Sequence, residues 1–145
     1  MKKFFFLLLL GSYSIHSFAA DQLNGTVWKT IDDETNQPRA IVRFSEDKNG
    51  ALSATIEKIL VASDANQCSK CEGAYKNKSL NGLVIVKNLK SSGQNKYSNG
   101  SILDPKTGKT YSFNATLSPD GKKLSGRGYI GVSAFGRSQT WYRIK

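Results

Sequence analysis

Residues 110–121 read TYSFNATLSPDG, and this stretch decides the fold. Polar and apolar residues alternate strictly through its first eight positions, as in a β-strand with one buried and one exposed face. The SPDG that follows supplies a turn starter and then Gly121, which tolerates positive φ. A short strand followed by a tight turn is therefore the unit from which we expect the chain to be built.

The same unit recurs along the chain and predicts eight strands. They begin near Gly25, Pro38, Ala51, Asn81, Lys96, Lys109, Lys123 and Ser138. The intervening gaps are too short for crossover helices, so neighbouring strands should pair antiparallel. An open meander would leave two edges exposed to other chains, whereas pairing of the first strand with the last removes both. The sequence thus predicts an all-β, eight-stranded antiparallel up-and-down barrel, in preference to an open sandwich.

The N-terminal segment is predicted to be a signal peptide. Lys2 and Lys3 precede the apolar run 4–10, and Ser17 and Ala19 place small residues at the −3 and −1 positions of a cleavage site. The apolar run is too short to span a bilayer. We expect cleavage after residue 19, leaving residues 20–145 as a single exported domain, periplasmic or secreted.

The composition limits the chemistry of that domain. The chain has 145 residues, 39% of them hydrophobic, which suits one globular domain. Its one histidine, His16, lies in the predicted signal peptide. Histidine-dependent nucleophilic catalysis and His-ligated metal sites are then excluded from the mature domain. We therefore expect a non-enzymatic protein with no metal and no cofactor.

Cys68 and Cys71 form the only motif that looks reactive. In an oxidising compartment the two thiols should form a local disulfide that pins the long connection 63–81. Thiol–disulfide exchange is the alternative, but its usual setting is a βαβ unit, which the sequence does not show. A zinc site would need two further ligands.

Three other patterns suggest weaker hypotheses. Residues 126–131 read GRGYIG, which matches the G-x-G-x-x-G pattern of dinucleotide-binding loops. The residues that follow contain no acid to bind a ribose, so we expect instead a strand whose glycines permit close approach of another segment. Asp32, Asp33 and Glu34 are expected to initiate the first turn. The chain has 21 Lys+Arg against 11 Asp+Glu, which is typical of a solvated basic surface or of contact with anionic envelope components, and we expect no nucleic-acid partner.

In several stretches the chain resembles the bacterial exported family called domain of unknown function 2147. These stretches are Trp28–Asp33, Ala40–Arg43, Cys68–Gly73, Gly82–Ile85, Gly100–Pro105, Gly108–Tyr111 and Arg127–Gly131 through Trp141. Where the family usually has Thr-Gly in its first turn, this chain has Thr35 and Asn36, and asparagine also tolerates the left-handed region. The resemblance implies a lipocalin-like barrel that holds an apolar or amphipathic ligand.

The predicted barrel and the resemblance together suggest site residues. Phe44, Ile56, Tyr111 and Phe113 would line the cavity, while Arg43, Arg127 or Arg137 would meet an anionic head group at its rim. Trp28 would stack on Arg143, or less favourably on Arg137, and so close the barrel. The leading hypothesis is binding of a small hydrophobic or amphipathic ligand or an envelope lipid. The alternatives are docking on anionic polymers or a partner protein, and thiol–disulfide exchange at Cys68 and Cys71.

Export yields the first prediction. Protein purified from the bacterium that makes it should begin at Ala20, and its intact mass should show the loss of residues 1–19. A native protein that still begins at Met1 would contradict the prediction.

Overall fold

The computed structural model describes Ser12, Ser14 and residues 17–61 and 66–145. The predicted signal peptide, residues 1–19, lies outside the described residues apart from Ser12, Ser14 and positions 17–19. The strands are β1 (Val27–Ile31), β2 (Pro38–Glu46), β3 (Leu52–Ile59), β4 (Val84–Gly93), β5 (Lys96–Asp104), β6 (Lys109–Leu117), β7 (Lys123–Tyr129) and β8 (Arg137–Arg143). Two 3-10 turns, Gly73–Tyr75 and Ser133–Phe135, lie between strands. No helix within the described residues is long and apolar enough to span a membrane.

The strands form one closed antiparallel barrel, in which each strand pairs with the next and β1 pairs with β8. In that closing pair Trp28 lies opposite Arg143 and Lys29 lies opposite Tyr142. The predicted fold class is therefore confirmed. The largest error is at β4, which begins at Val84 because the residues just before it form a turn with Gly82 at a φ of +86°.

The up-and-down topology gives the barrel two ends of different character. The β2–β3, β4–β5 and β6–β7 connections lie at what we call the closed end, and the other four strand connections lie at the open end. Large side chains fill the closed end. They are Leu23, Trp28, Phe44, Leu52, Leu89 and Leu124, all at most 1% exposed.

Residues 21–25, which we call the N-terminal plug, cover the closed end. The Asp21 backbone N–H donates to Glu46 Oε2 at 2.8 Å, and the Tyr97 hydroxyl donates to Asp21 Oδ1 at 3.0 Å. Leu23 inserts beneath these polar contacts and is fully buried. The Gly25 N–H donates to the Phe44 carbonyl at 2.9 Å, which joins the plug to β2. The plug therefore seals the closed end by both hydrogen bonds and apolar burial.

The buried hydroxyl of Tyr97 makes the plug sensitive to alkaline pH. Burial, assisted by the neighbouring Asp21 carboxylate, raises the pKa of Tyr97 to about 12 from 10.0. The unfolded tyrosine ionises first as pH rises, so the stabilisation is complete below pH 10 and is lost as pH approaches about 12.

The Tyr97→Phe variant tests this coupling. At pH 7 it should lower the free energy of unfolding by about 1–3 kcal/mol, because it removes a hydrogen bond to a carboxylate. In urea titrations the difference from wild type should shrink steadily between pH 10 and about 12. A difference that stays constant over this interval would show that Tyr97 does not titrate as described.

Candidate functional site

A cavity of about 330 Å³ opens at the open end of the barrel. Its inner wall is mostly apolar. The wall includes Ile56, Ile59, Leu80, Ile85, Ile102, Leu103, Tyr111, Phe113 and Trp141. Trp141 and Phe113 stack at the bottom with ring centroids 6.0 Å apart, and Phe44 packs against the other side of Trp141 at 6.2 Å. These three rings separate the cavity from the closed end.

Two glycines on β7 shape the cavity above these rings: Gly126 admits the Phe113 ring, and Gly128 leaves open space. Gly126 and Gly128 share the inward face of β7 with Leu124, and both line the cavity. A Cβ on Gly126 would lie 2.6 Å from Phe113 Cζ, so the ring occupies the place of a side chain. A Cβ on Gly128 would meet its nearest atom, Ile102 Cγ2, at 3.5 Å, which is an ordinary contact. Residues 126–129 of the GRGYIG segment thus lie in a strand, with close approach at Gly126, whereas Gly131 lies beyond the strand at a φ of +75° with no atom within 4 Å of a Cβ there.

The rim of the cavity carries ion pairs between distant segments. Asp33 and Glu34, in the β1–β2 turn, lie 2.8 and 3.1 Å from the Arg137 guanidinium at the start of β8. Lys106, in the β5–β6 turn, lies 2.8 Å from Glu34 and 3.7 Å from Asp32. The hydrogen bond from Lys106 lowers the pKa of Glu34, and Asp33 raises the pKa of Arg137. These side chains therefore stay ionised, and their ion pairs link the β1–β2 turn, the β5–β6 turn and the start of β8.

Asp32 shapes the β1–β2 turn, as the sequence predicts. Its Oδ1 accepts the backbone N–H groups of Glu34 and Thr35, both at 2.9 Å. Burial alone would raise the pKa of Asp32, but these hydrogen bonds and the charge of Lys106 outweigh it and lower the pKa. Asn36 completes the turn at a φ of +55°, the left-handed conformation expected of asparagine at this position.

The structure brings together part of the predicted ligand site. Ile56, Tyr111, Phe113 and Arg137 all line the cavity or its rim. Phe44 does not reach the cavity, because it lies fully buried on the far side of Trp141.

Two predicted rim arginines lie on the outside of the barrel. Arg43 alternates with inward Val42 and Phe44, and it pairs with Glu57 and donates to the Gly25 carbonyl at 3.0 Å. Arg127 alternates with the inward glycines of β7 and donates to the β7–β8 loop instead. The period-2 pattern of each strand thus directs both guanidinium groups away from the cavity.

Barrel closure does not use the stacking expected from the resemblance. Arg143 faces Trp28 in the strand register, but its Nε donates to the Lys145 carbonyl at 3.3 Å. In the described residues, the cations that lie over rings are Lys87 over Tyr75 and Lys123 over Tyr142. The Trp28 indole N–H instead donates to Thr26 Oγ1 at 2.7 Å. Backbone pairing of β1 with β8 therefore closes the barrel.

Cys68 and Cys71 form the expected disulfide, with Cα atoms 5.3 Å apart. Both residues are buried, and Cys68 Sγ lies 3.9 Å from the Pro105 carbonyl oxygen of the β5–β6 turn. Gly108 of that turn has a φ of +75°, and a Cβ there would lie 1.8 Å from the Lys70 carbonyl oxygen. The disulfide thus constrains a tight turn within the long connection, and the packing of Lys70 on Gly108 places that turn against the open end. No three His, Cys, Asp or Glu side chains in the described part of the chain are grouped to hold a metal ion.

Sequence reasoning missed several residues of the site. Trp141 could have been found from its place in the alternating pattern of β8, which puts it inward with Gln139. Gly126 and Gly128 were assigned to a strand, but their effect on cavity volume depends on Phe113 of a neighbouring strand. The rim pair of Asp33 and Arg137 joins residues 104 positions apart and has no local signal.

Comparison with known proteins identifies the family and the fold. The model of a family described as "Uncharacterized protein conserved in bacteria (DUF2147)" matches residues 26–143, so the chain belongs to this family. No curated protein is significantly similar to it. The barrel is similar to a solved structure described as "Protein HP1028 from the human pathogen Helicobacter pylori belongs to the lipocalin family", with a TM-score of 0.74. The identity is 24%, and the match covers 86% of this chain and 84% of that chain. The fold is therefore lipocalin-like.

The bottom of the cavity gives a testable expectation. Gly126→Ala should lower the free energy of unfolding by about 1–3 kcal/mol, because its Cβ displaces the Phe113 ring from its stack on Trp141. Trp141 fluorescence should change as well. Ser125→Ala, on the exposed face of the same strand, should stay within about 0.5 kcal/mol of wild type. Equal stability of the two variants in urea titrations would contradict the proposed packing.

Proposed function

We propose that this member of the DUF2147 family binds one small, mostly apolar molecule inside its lipocalin-like barrel. The observation that carries the proposal is the 330 Å³ cavity with an apolar inner wall and a charged rim. Pockets that hold small ligands typically have volumes of about 300–1,000 Å³ and combine an apolar lining with a few polar groups. The cavity has this character, and its volume suits a compact ligand.

The lining suggests how such a ligand would lie. The aromatic rings of Phe113 and Trp141 would contact its apolar end, where burial from water supplies the binding energy. Arg137 would meet a polar end, because it lines the cavity mouth and its side chain remains 63% exposed. A carboxylate or phosphate on the ligand could share the planar guanidinium with Asp33. An amphipathic molecule with an anionic head therefore fits best.

Binding without catalysis is part of the proposal. A carboxyl group that acts as a general acid near neutral pH needs a raised pKa. At the rim, the pKa values of Asp32 and Glu34 are lowered, and both carboxylates are engaged by Lys106. These acids are suited to holding the turns in place.

We include export from the bacterial cytoplasm in the proposal. The N-terminal sequence supports it, and so does the disulfide between Cys68 and Cys71, since such bonds persist in oxidising compartments. The protein would then meet its ligand in the periplasm or outside the cell.

A cavity-filling variant tests ligand binding. Gly128→Val adds a side chain at ordinary contact distance from Ile102, and so it should fill the cavity while a β-branched residue keeps the strand intact. In fluorescence titrations with an uncharged naphthylamine dye, wild type should bind with one-to-one stoichiometry. Binding to Gly128→Val should be weaker by at least about tenfold.

The matched control is Ser125→Val, which places the same side chain on the exposed face of β7. It should bind the dye as wild type does. Equal dye affinity in Gly128→Val and wild type would exclude the cavity as the binding site. Native mass spectrometry of protein purified gently from the bacterium would then identify any natural occupant.

A further inference from the structure

The β7–β8 loop exposes large apolar side chains beside the cavity mouth. Ile130 is 70% exposed, Val132 is 57% exposed and Phe135 is 83% exposed. We call these three residues the apolar tip. Ile130 and Phe135 also contribute to the lining of the mouth. Contiguous exposed apolar residues are uncommon on a soluble domain unless they meet a partner.

The fold holds the apolar tip in this exposed position. Arg127 donates from Nε to the Ser133 carbonyl at 2.5 Å, from Nη2 to the Ala134 carbonyl at 3.3 Å and from Nη1 to Ser138 Oγ at 2.8 Å. Gly136 packs so closely on β7 that a Cβ would lie 2.6 Å from the Gly128 carbonyl oxygen. The loop is thus braced at several points while its apolar side chains face solvent.

Lysines on two other segments of the open end, the β3–β4 connection and the start of β6, give this end a positive character. They are Lys70, Lys76, Lys78 and Lys109, all exposed, and their side chains form no ion pair or hydrogen bond with other described residues. The rim acids are already paired with Lys106 and Arg137. In the described parts of these segments and at the end of β5, Glu72 and Asp104 are the remaining acids, so the lysines outnumber them.

We propose that the apolar tip docks on an anionic phospholipid bilayer. Phe135, Ile130 and Val132 would enter the boundary between head groups and acyl chains, and the four lysines would contact the lipid phosphates. Apolar insertion together with basic residues is the combination by which peripheral proteins bind anionic membranes. The cavity mouth would then face the lipid surface. This docking goes beyond the proposed ligand binding and does not require an occupied cavity.

A tryptophan placed in the tip tests the docking directly. The native Trp28 and Trp141 are at most 1% exposed, so a new exposed indole would dominate any change in emission. In Phe135→Trp, vesicles of phosphatidylglycerol and phosphatidylethanolamine in equal parts should shift the emission to shorter wavelength. The shift should diminish when salt is added, because salt screens the lysines.

The matched control is Ile144→Trp, at the opposite end of the barrel, where Ile144 is 56% exposed. Its emission should not shift with vesicles. In co-sedimentation, Ile130→Ser combined with Phe135→Ser should lower the partition onto these vesicles at least about tenfold. Replacing Lys76 by Gln should lower it roughly fivefold.

Three outcomes would overturn the proposal. The first is no shift in Phe135→Trp, and the second is an equal shift in Ile144→Trp. The third is a shift that depends on protein concentration without vesicles, which would assign the tip to contact with a second copy of the chain. Gly128→Val should keep its vesicle binding, so a failure of membrane docking and a failure of ligand binding are separately visible.

Discussion

The backbone pairing of β1 with β8 is the interaction on which the rest of the structure depends. It converts a meander with two free edges into a closed sheet, so that every strand has a partner on both sides. Closure also forces the inward residues of all strands into one interior, which for eight strands is just wide enough for side chains or one small ligand. Whether that interior is packed or hollow then depends on the side chains that point into it.

Those side chains are distributed unequally between the two ends. At the closed end Leu23, Trp28 and Phe44 pack without access to solvent, and burial of such residues supplies most of the folding energy. At the open end two inward positions of β7 are glycines. The Phe113 ring of β6 occupies the place of a side chain at Gly126, and Gly128 leaves space in the cavity. The same closed sheet therefore provides a packed core at one end and an open cavity at the other.

Sequence patterns could predict the strands and the closure, since alternation and short turns are local features and the edge argument follows from them. The disulfide and the left-handed Asn36 were also predictable from local chemistry. The cavity rim was not, because the contact between Asp33 and Arg137 depends on how turns from opposite ends of the chain meet. Arg43 and Arg127 are a different case, because strand parity, a local feature of the sequence, already places both outside the barrel. The covering of the closed end by Leu23 required tertiary contacts with β2 and β5.

The rim ion pairs and the apolar tip have different physical roles at the same opening. Exposed ion pairs such as that of Lys106 with Glu34 contribute only about 0–1 kcal/mol each, because water and salt screen them. They can therefore order the turns around the mouth, and their separation would cost little energy if the proposed ligand entered there. The exposed ring of Phe135 is apolar, so its transfer from water into an apolar environment would be favourable. Water therefore keeps the rim ion pairs weak, whereas the side chain of Phe135 would be stabilised only by contact with an apolar phase.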